Sequence, residues 1–425
     1  MITTRILHAD IYTPLGSTAV RGENMASLWH LPDAEIEVTD KVITYIGAER
    51  TDAPKANFTI DAERRAVLPG FVDSHTHLVF GGYRPDEFMW RIAGDTYMEI
   101  MERGGGIVST MKATREATPH DLYEKAKPYL QRMLQMGVTT VEAKSGYGLD
   151  KDAELKMLDT INLLNASNDR IDIVATYLGA HAVPPEWADC PDGYINLIIN
   201  DILPIVKDKA RFCDVFCEKG VFTPEQSRRL LQAAKDLGMG IKLHADEIVT
   251  TGGAELAAEL GAVSADHLLH VSDEGIRALA KSQTIATLLP LTAFTLREEY
   301  APARKMIDAG CAVALATDLN PGSCLSGSIP LMFALACIYM DMTTEEAITA
   351  LTLNGAAALG LAERIGSLEV GKQGDMVILD SGNINMLPYY TAMNSVRTTI
   401  KGGIPVANND PTSPKSPYIP RLTQI

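Results

Sequence analysis

The sequence predicts an α/β fold: a (β/α)8 barrel of the TIM type joined to a small β-sandwich domain built from both chain ends. Three observations predict it. First, between residues 67 and 365 eight short apolar runs alternate with longer helical patterns: Phe71–His77, Val138–Ala143, Ile171–Gly179, Phe212–Cys217, Met239–His244, Ala262–His267, Thr284–Leu288 and Cys311–Thr317. Second, several runs follow a helix that stops at glycine, as at Gly137, Gly238, Gly261 and Gly310. Glycine there suits the left-handed cap that turns a helix back into the next strand. Third, the flanks read as strand and turn without a long helix, for example Val42–Gly47 at one end and Ile365–Asp380 at the other. The expected division is a composite β domain from residues 1–64 and 366–408, a barrel over 65–365, and an extended tail over 409–425, where proline and polar residues oppose regular structure.

The first barrel run ends in Asp73-Ser74-His75-Thr76-His77. Side chains two apart on a strand face the same way, so both imidazoles leave it on one side. Alone, such a pair also fits hydrogen-bonded core histidines. Further candidates end later runs: His244, His267 and Asp318. A ring of parallel strands carries all these ends to one rim, where barrels of this kind place their chemistry. His75, His77, His244 and Asp318 are the four proposed metal ligands, with water completing the shell. Three imidazoles and a carboxylate suit one divalent Zn or Fe better than Mg or Ca, which prefer oxygen shells. An open coordination position distinguishes a catalytic site from a structural one, and a bound metal brings the pKa of its water to about 7, so hydrolysis is the expected chemistry.

Other rim residues carry two readings. Glu247, three positions after His244, is either a surface residue opening the next helix or, if the chain turns into a loop, a group facing the metal. His267 beside Asp266 is expected to be functional. Lys144 could be carboxylated to bridge two metals; a single metal with Lys144 as a charge partner is the favoured reading.

Composition bounds the partners. The chain has 425 residues, 46% hydrophobic and 22% charged, with a formal net charge of -16. That charge argues against nucleic acid or an anionic membrane surface, and an anionic small-molecule substrate would need a specific local cation. No segment approaches 18 consecutive apolar residues, and Met1–Arg5 lacks a signal-peptide layout, so a cytoplasmic location is expected. The six cysteines form no Cys-x-x-Cys pair and read as free thiols. Arg103-Gly104-Gly105-Gly106-Ile107 lacks the lysine and spacing of a P-loop.

The His-x-His after the first strand, the later histidines, the final aspartate and the closing Ile365-Gly366-Ser367 to Asp375-Met376-Val377 resemble the amidohydrolase superfamily. Within it, the chain resembles the imidazolonepropionase family of histidine degradation, through His75–Arg84, Gly104–Ile107, Val141–Asp150 and Thr317–Ser323. The resemblance implies hydrolysis of 4-imidazolone-5-propanoate to N-formimino-L-glutamate, by attack of metal-held hydroxide on the ring carbonyl. It places the metal ligands on the four residues named above. Substrate contacts fall on Arg84, Tyr147 and His181, product contacts on Asn320, Gly322 and Ser323, and catalytic positions on Glu247 and His267, with His181 polarising the lactam carbonyl. A homodimer is expected. The rival readings are a hydrolytic deaminase of the same superfamily, which would release ammonia, and a catalytically silent scaffold, which would be expected to have lost ligands.

Overall fold

The computed structural model describes residues 2–95, 99, 103, 105–168 and 170–410. Of the expected C-terminal tail, positions 411–425 lie outside the described residues, as do parts of the glycine-rich stretch around Gly104.

In chain order the described strands are β1 (Thr3–Thr13), β2 (Trp29–Thr39), β3 (Val42–Ala48), β4 (Phe58–Asp61), β5 (Ala66–Pro69), β6 (Phe71–Asp73), β7 (Val138–Lys144), β8 (Asp172–Ala180), β9 (Phe212–Cys217), β10 (Gly240–Ala245), β11 (Ser264–His267), β12 (Ile285–Leu288), β13 (Val313–Leu315), β14 (Met376–Leu379), β15 (Val396–Lys401) and β16 (Ile404–Asn408). They form two sheets. β6 to β13 pair in sequence order, all parallel. Each of the eight apolar runs overlaps one of these strands, and β7, β8 and β10 each extend one residue past the end of their run. The ring closes just beyond the last strand, where Asp318 N donates to His75 O at 3.0 Å and His77 N to Leu319 O at 2.8 Å. Asp73 locks the same seam, accepting from Thr317 N at 2.9 Å and Thr317 Oγ1 at 2.6 Å.

The helix-stopping glycines behave as their position requires: Gly137, Gly238, Gly261 and Gly310 all have φ between 66° and 93°. Helix starts are fixed as firmly. Thr118, Thr223 and Thr343 each form a capping box with Asp121, Gln226 and Glu346, which satisfies amide donors that a helix leaves unpaired.

The second sheet is mixed and draws on both chain ends, in the order β16-β15-β14-β5-β1-β2-β3, with β4 also pairing with β1. Register shifts on either side of Ala9 in β1 let that strand pair with β4 over Thr4–Leu7 and with β5 at Asp10–Ile11. Ile6, Ile11, Ile36, Val38, Ile43, Val67, Met376, Ile378 and Ile400 fill its core. One boundary differs from expectation. Ala66–Pro69, assigned to the barrel by sequence, pairs with β14 and β1, so the chain passes into the barrel at Gly70. An apolar strand buried in either sheet looks the same in sequence; only its partners decide.

Candidate metal centre

The strand ends bring His75, His77 and His244 together, each offering a ligand nitrogen within 4.8 Å of the others, and His75, His267 and Asp318 form a second such set. Asp318 Oδ1 lies 3.5 Å from Nε2 of both His75 and His77. All five side chains are buried. Backbone geometry aims two of them inward: Asp318 has φ 51° and His267 φ 77°, a left-handed conformation costing about 1–3 kcal/mol in a non-glycine residue and concentrated at functional sites.

The residues fit a divalent cation. His75 Nε2, His244 Nε2 and Asp318 Oδ1 are buried without a hydrogen-bond partner, an arrangement that costs several kcal/mol unless something positive is bound there. Burial, reinforced by neighbouring cationic groups, holds His75, His77 and His267 well below the ordinary imidazole range, so they are neutral as ligands must be. His244 is the exception: burial opposes its proton, but the Asp214 carboxylate raises it. Burial pushes Asp318 up to about 6 although Thr292 stabilises its charged form.

The imidazoles are oriented from behind. His75 Nδ1 donates to Asp266 Oδ2 at 2.6 Å, and His244 Nδ1 faces Asp214 Oδ2 at 3.1 Å. Such carboxylates fix ring orientation and tautomer in metal sites. Thr292 Oγ1 donates to Asp318 Oδ2 at 2.6 Å, leaving Oδ1 for the centre.

Glu247 faces the metal cluster because the chain turns after His244. Asp246 accepts from the amides of Thr251, Gly252, Gly253 and Ala254 at 2.7–3.2 Å, while Glu218 accepts from Ile248 N at 2.8 Å. The loop so formed sets Glu247 Oε2 3.5 Å from His267 Nε2. Burial, then the Asp318 charge, pushes Glu247 up to about 8.

Around this core lie the other predicted residues. His181 stacks on His77 with ring centroids 4.9 Å apart, and Tyr147 lies 5.2 Å from His181 with its hydroxyl against the Arg84 guanidinium. Arg84, only 9% exposed, has Glu87 Oε2 at 3.6 Å from Nη1. In the loop after Asp318, Asn320 Oδ1 accepts from Gly322 N and Ser323 N at 2.8 Å each, and Asn320 Nδ2 donates to Asp318 O at 2.9 Å and to Ser323 Oγ at 2.8 Å. The amide of Asn320 therefore shapes its own loop.

A protein-family model described as the amidohydrolase family matches residues 66–406. An imidazolonepropionase from Phocaeicola vulgatus is 63% identical over 402 residues, covering 94% of this chain and 97% of the relative. The chain belongs to the imidazolonepropionase family of amidohydrolases. An imidazolonepropionase of Bacteroides fragilis is 60% identical, covering 94% of this chain and 97% of that one; one of Clostridium tetani is 56% identical, with 93% and 96% covered. Among solved structures, a triazine hydrolase variant superposes with a TM-score of 0.74 at 16% identity, covering 96% of this chain and 95% of the other. A 5-methylcytosine deaminase from Klebsiella pneumoniae gives 0.72 at 17%, covering 96% and 98%. At those identities the likeness is one of fold.

As an imidazolonepropionase-family member the chain is a hydrolase, and its site contains groups that the strand-end pattern did not single out: Asp73, Asp214, Thr292 and Lys242. The three barrel charges, Asp73, Asp214 and Lys242, have a local signal, since an Asp or Lys inside an otherwise apolar strand run is rare unless paired. Thr292 has none; it lies in the helix Pro290–Leu296 and meets Asp318 only through the fold.

Proposed function

We propose that the chain hydrolyses 4-imidazolone-5-propanoate to N-formimino-L-glutamate, using one zinc or iron ion held by His75, His77, His244 and Asp318. Water adds across the lactam C–N bond: oxygen goes to the carbonyl carbon, and the proton goes to the departing ring nitrogen. The observation that carries this proposal is the juxtaposition of the imidazole cluster with the largely covered guanidinium of Arg84. Arg84 is a permanent cation beside Tyr147 and Gly322, suited to a carboxylate tail. It answers the local need that a net charge of -16 imposes on an anionic substrate.

A bound dication polarises the carbonyl and lowers the pKa of a water to about 7. The protein's groups do the rest. Glu247, raised by burial, and the unprotonated His267 form a donor and acceptor 3.5 Å apart, able to take a proton from the attacking water and deliver it to the leaving nitrogen. His181 takes a narrower part than the resemblance implies. Its Nδ1 lies 3.0 Å from Gly146 O, and a carbonyl only accepts, so Nδ1 carries the hydrogen. Burial, then the charge of His244, lowers its pKa to about 3. A neutral His181 therefore presents Nε2 as an acceptor, fit for a substrate N–H, and it donates to an oxyanion only when protonated.

Metal-replete protein incubated with fresh imidazolone propionate should give a product heavier by one water, with no ammonia. Ammonia release from this or an aminated heterocycle would point to a deaminase instead, and absence of turnover with bound metal would reject the hydrolase. A cytoplasmic homodimer completes the proposal; light scattering of the purified protein tests the dimer.

A further inference from the structure

Behind the imidazoles lies a buried charged network. Glu142, Lys144, Asp214, Lys242 and Asp266 are all fully buried, on barrel strands β7, β9, β10 and β11. Lys144 Nζ lies 2.9 Å from Glu142 Oε2, 2.8 Å from Asp214 Oδ2 and 3.6 Å from Asp266 Oδ2. The last two oxygens are the ones that face His244 Nδ1 and His75 Nδ1. One ammonium therefore touches both carboxylates that orient two of the ligand imidazoles. Lys242 contacts Glu142 Oε1 at 2.8 Å and Ser74 O at 3.1 Å instead.

Asp214 Oδ2 and Asp266 Oδ2 each stand between the ammonium and a ligand imidazole. Removing Lys144 takes from both carboxylates a partner that fixes where those oxygens lie, and so loosens the orientation of the rings they face.

We infer that Lys144 is a positioning residue: its ammonium, through Asp214 and Asp266, holds the ring nitrogens of His244 and His75 in place for the metal. This rests on the metal site proposed above. Charge repulsion alone would give the opposite effect, because an ammonium near a cation site repels the cation. The two predict opposite signs.

The test is Zn2+ affinity of the full chain, measured by competition with a chromophoric chelator, for wild type, Lys144→Met, Asp214→Asn and the double variant. The expected result is 10- to 100-fold weaker binding in Lys144→Met, the usual scale for losing a group behind a metal ligand. The double variant should lose less than the product of the two single losses, because with Asp214 already changed Lys144→Met removes only the contact to Asp266. Unchanged or tighter binding in Lys144→Met, or losses that multiply in the double variant, would overturn the inference. If Lys144→Met does not fold, Lys144→Gln, which keeps hydrogen bonding without charge, is read by the same criteria. Wild-type protein that takes up no Zn2+ would reject the metal site itself, a result distinguishable from failure of the role of Lys144.

Discussion

A β-carbon added at Gly322 would stand 1.9 Å from Nη2 of Arg84 and 2.7 Å from its Cζ. The bare backbone of one residue is the space that the other's guanidinium fills. Arg84 comes from the segment after β6 and Gly322 from the segment after β13, so barrel closure brings them together.

Gly322→Ala should therefore displace the guanidinium while the protein folds normally, since the atom in the way is the end of a flexible side chain. KM should rise about tenfold or more with kcat little changed, the scale of a lost charged hydrogen bond. Arg84→Met should do the same, and the double variant should be no worse than Arg84→Met. Additive losses in steady-state kinetics would separate Gly322 from Arg84.

Glu247→Gln keeps the size and removes the proton-transfer group. Turnover should fall at least about 100-fold while metal content, measured by elemental analysis, stays at the wild-type level. Near-normal turnover would leave His267 as the sole proton carrier.

Removing the metal should abolish activity and lower Tm, because a ligand that binds only the folded state stabilises it by mass action. Dialysis against a chelator, followed by separate addition of zinc and ferrous iron under anaerobic conditions, identifies the ion that restores both. Full activity in metal-free protein would contradict the proposed chemistry.

The mixed sheet carries its own pH dependence. Glu35 is buried between Arg5 and Arg50, with Oε2 2.8 Å from Arg5 Nη2 and Oε1 2.6 Å from Arg50 Nη2. Burial alone would raise its pKa, but the two guanidinium groups outweigh it and lower the carboxyl to about 2. A depressed folded-state pKa contributes stability above the ordinary carboxylate value, and loses it as pH falls toward the folded value. The gap in unfolding free energy between wild type and Glu35→Gln should be on the order of 2–3 kcal/mol at neutral pH and narrow between about pH 4.5 and 2. A gap constant across urea titrations in that window would show that Glu35 does not titrate this way.

Much of the barrel was legible because its signals are local. A period of two along an apolar strand puts His75 and His77 on one side, and glycine after a helix marks four of the returns to the sheet; both depend on residues within a few positions of each other. The same locality explains what stayed hidden. Asp73 meets Thr317 across 244 residues, and His75 meets Asp266 across 191, pairs that no window of sequence contains. Whether Ala66–Pro69 joins the barrel or the mixed sheet was equally beyond local pattern, since burial on both faces looks alike in either place.

The sequence by itself determined the kind of site: histidines and an aspartate at strand ends, with a family resemblance extending through them. Only the tertiary structure decided how they are held. It turned Glu247 inward through the Asp246 loop, bound up the Asn320 amide within its own loop, fixed the His181 tautomer on Gly146 O, and put the Lys144 ammonium against the carboxylates behind two imidazoles. The physical reason is that orientation and charge state depend on distance through space. Those distances exist only once eight strands from separate stretches of chain have closed into a ring.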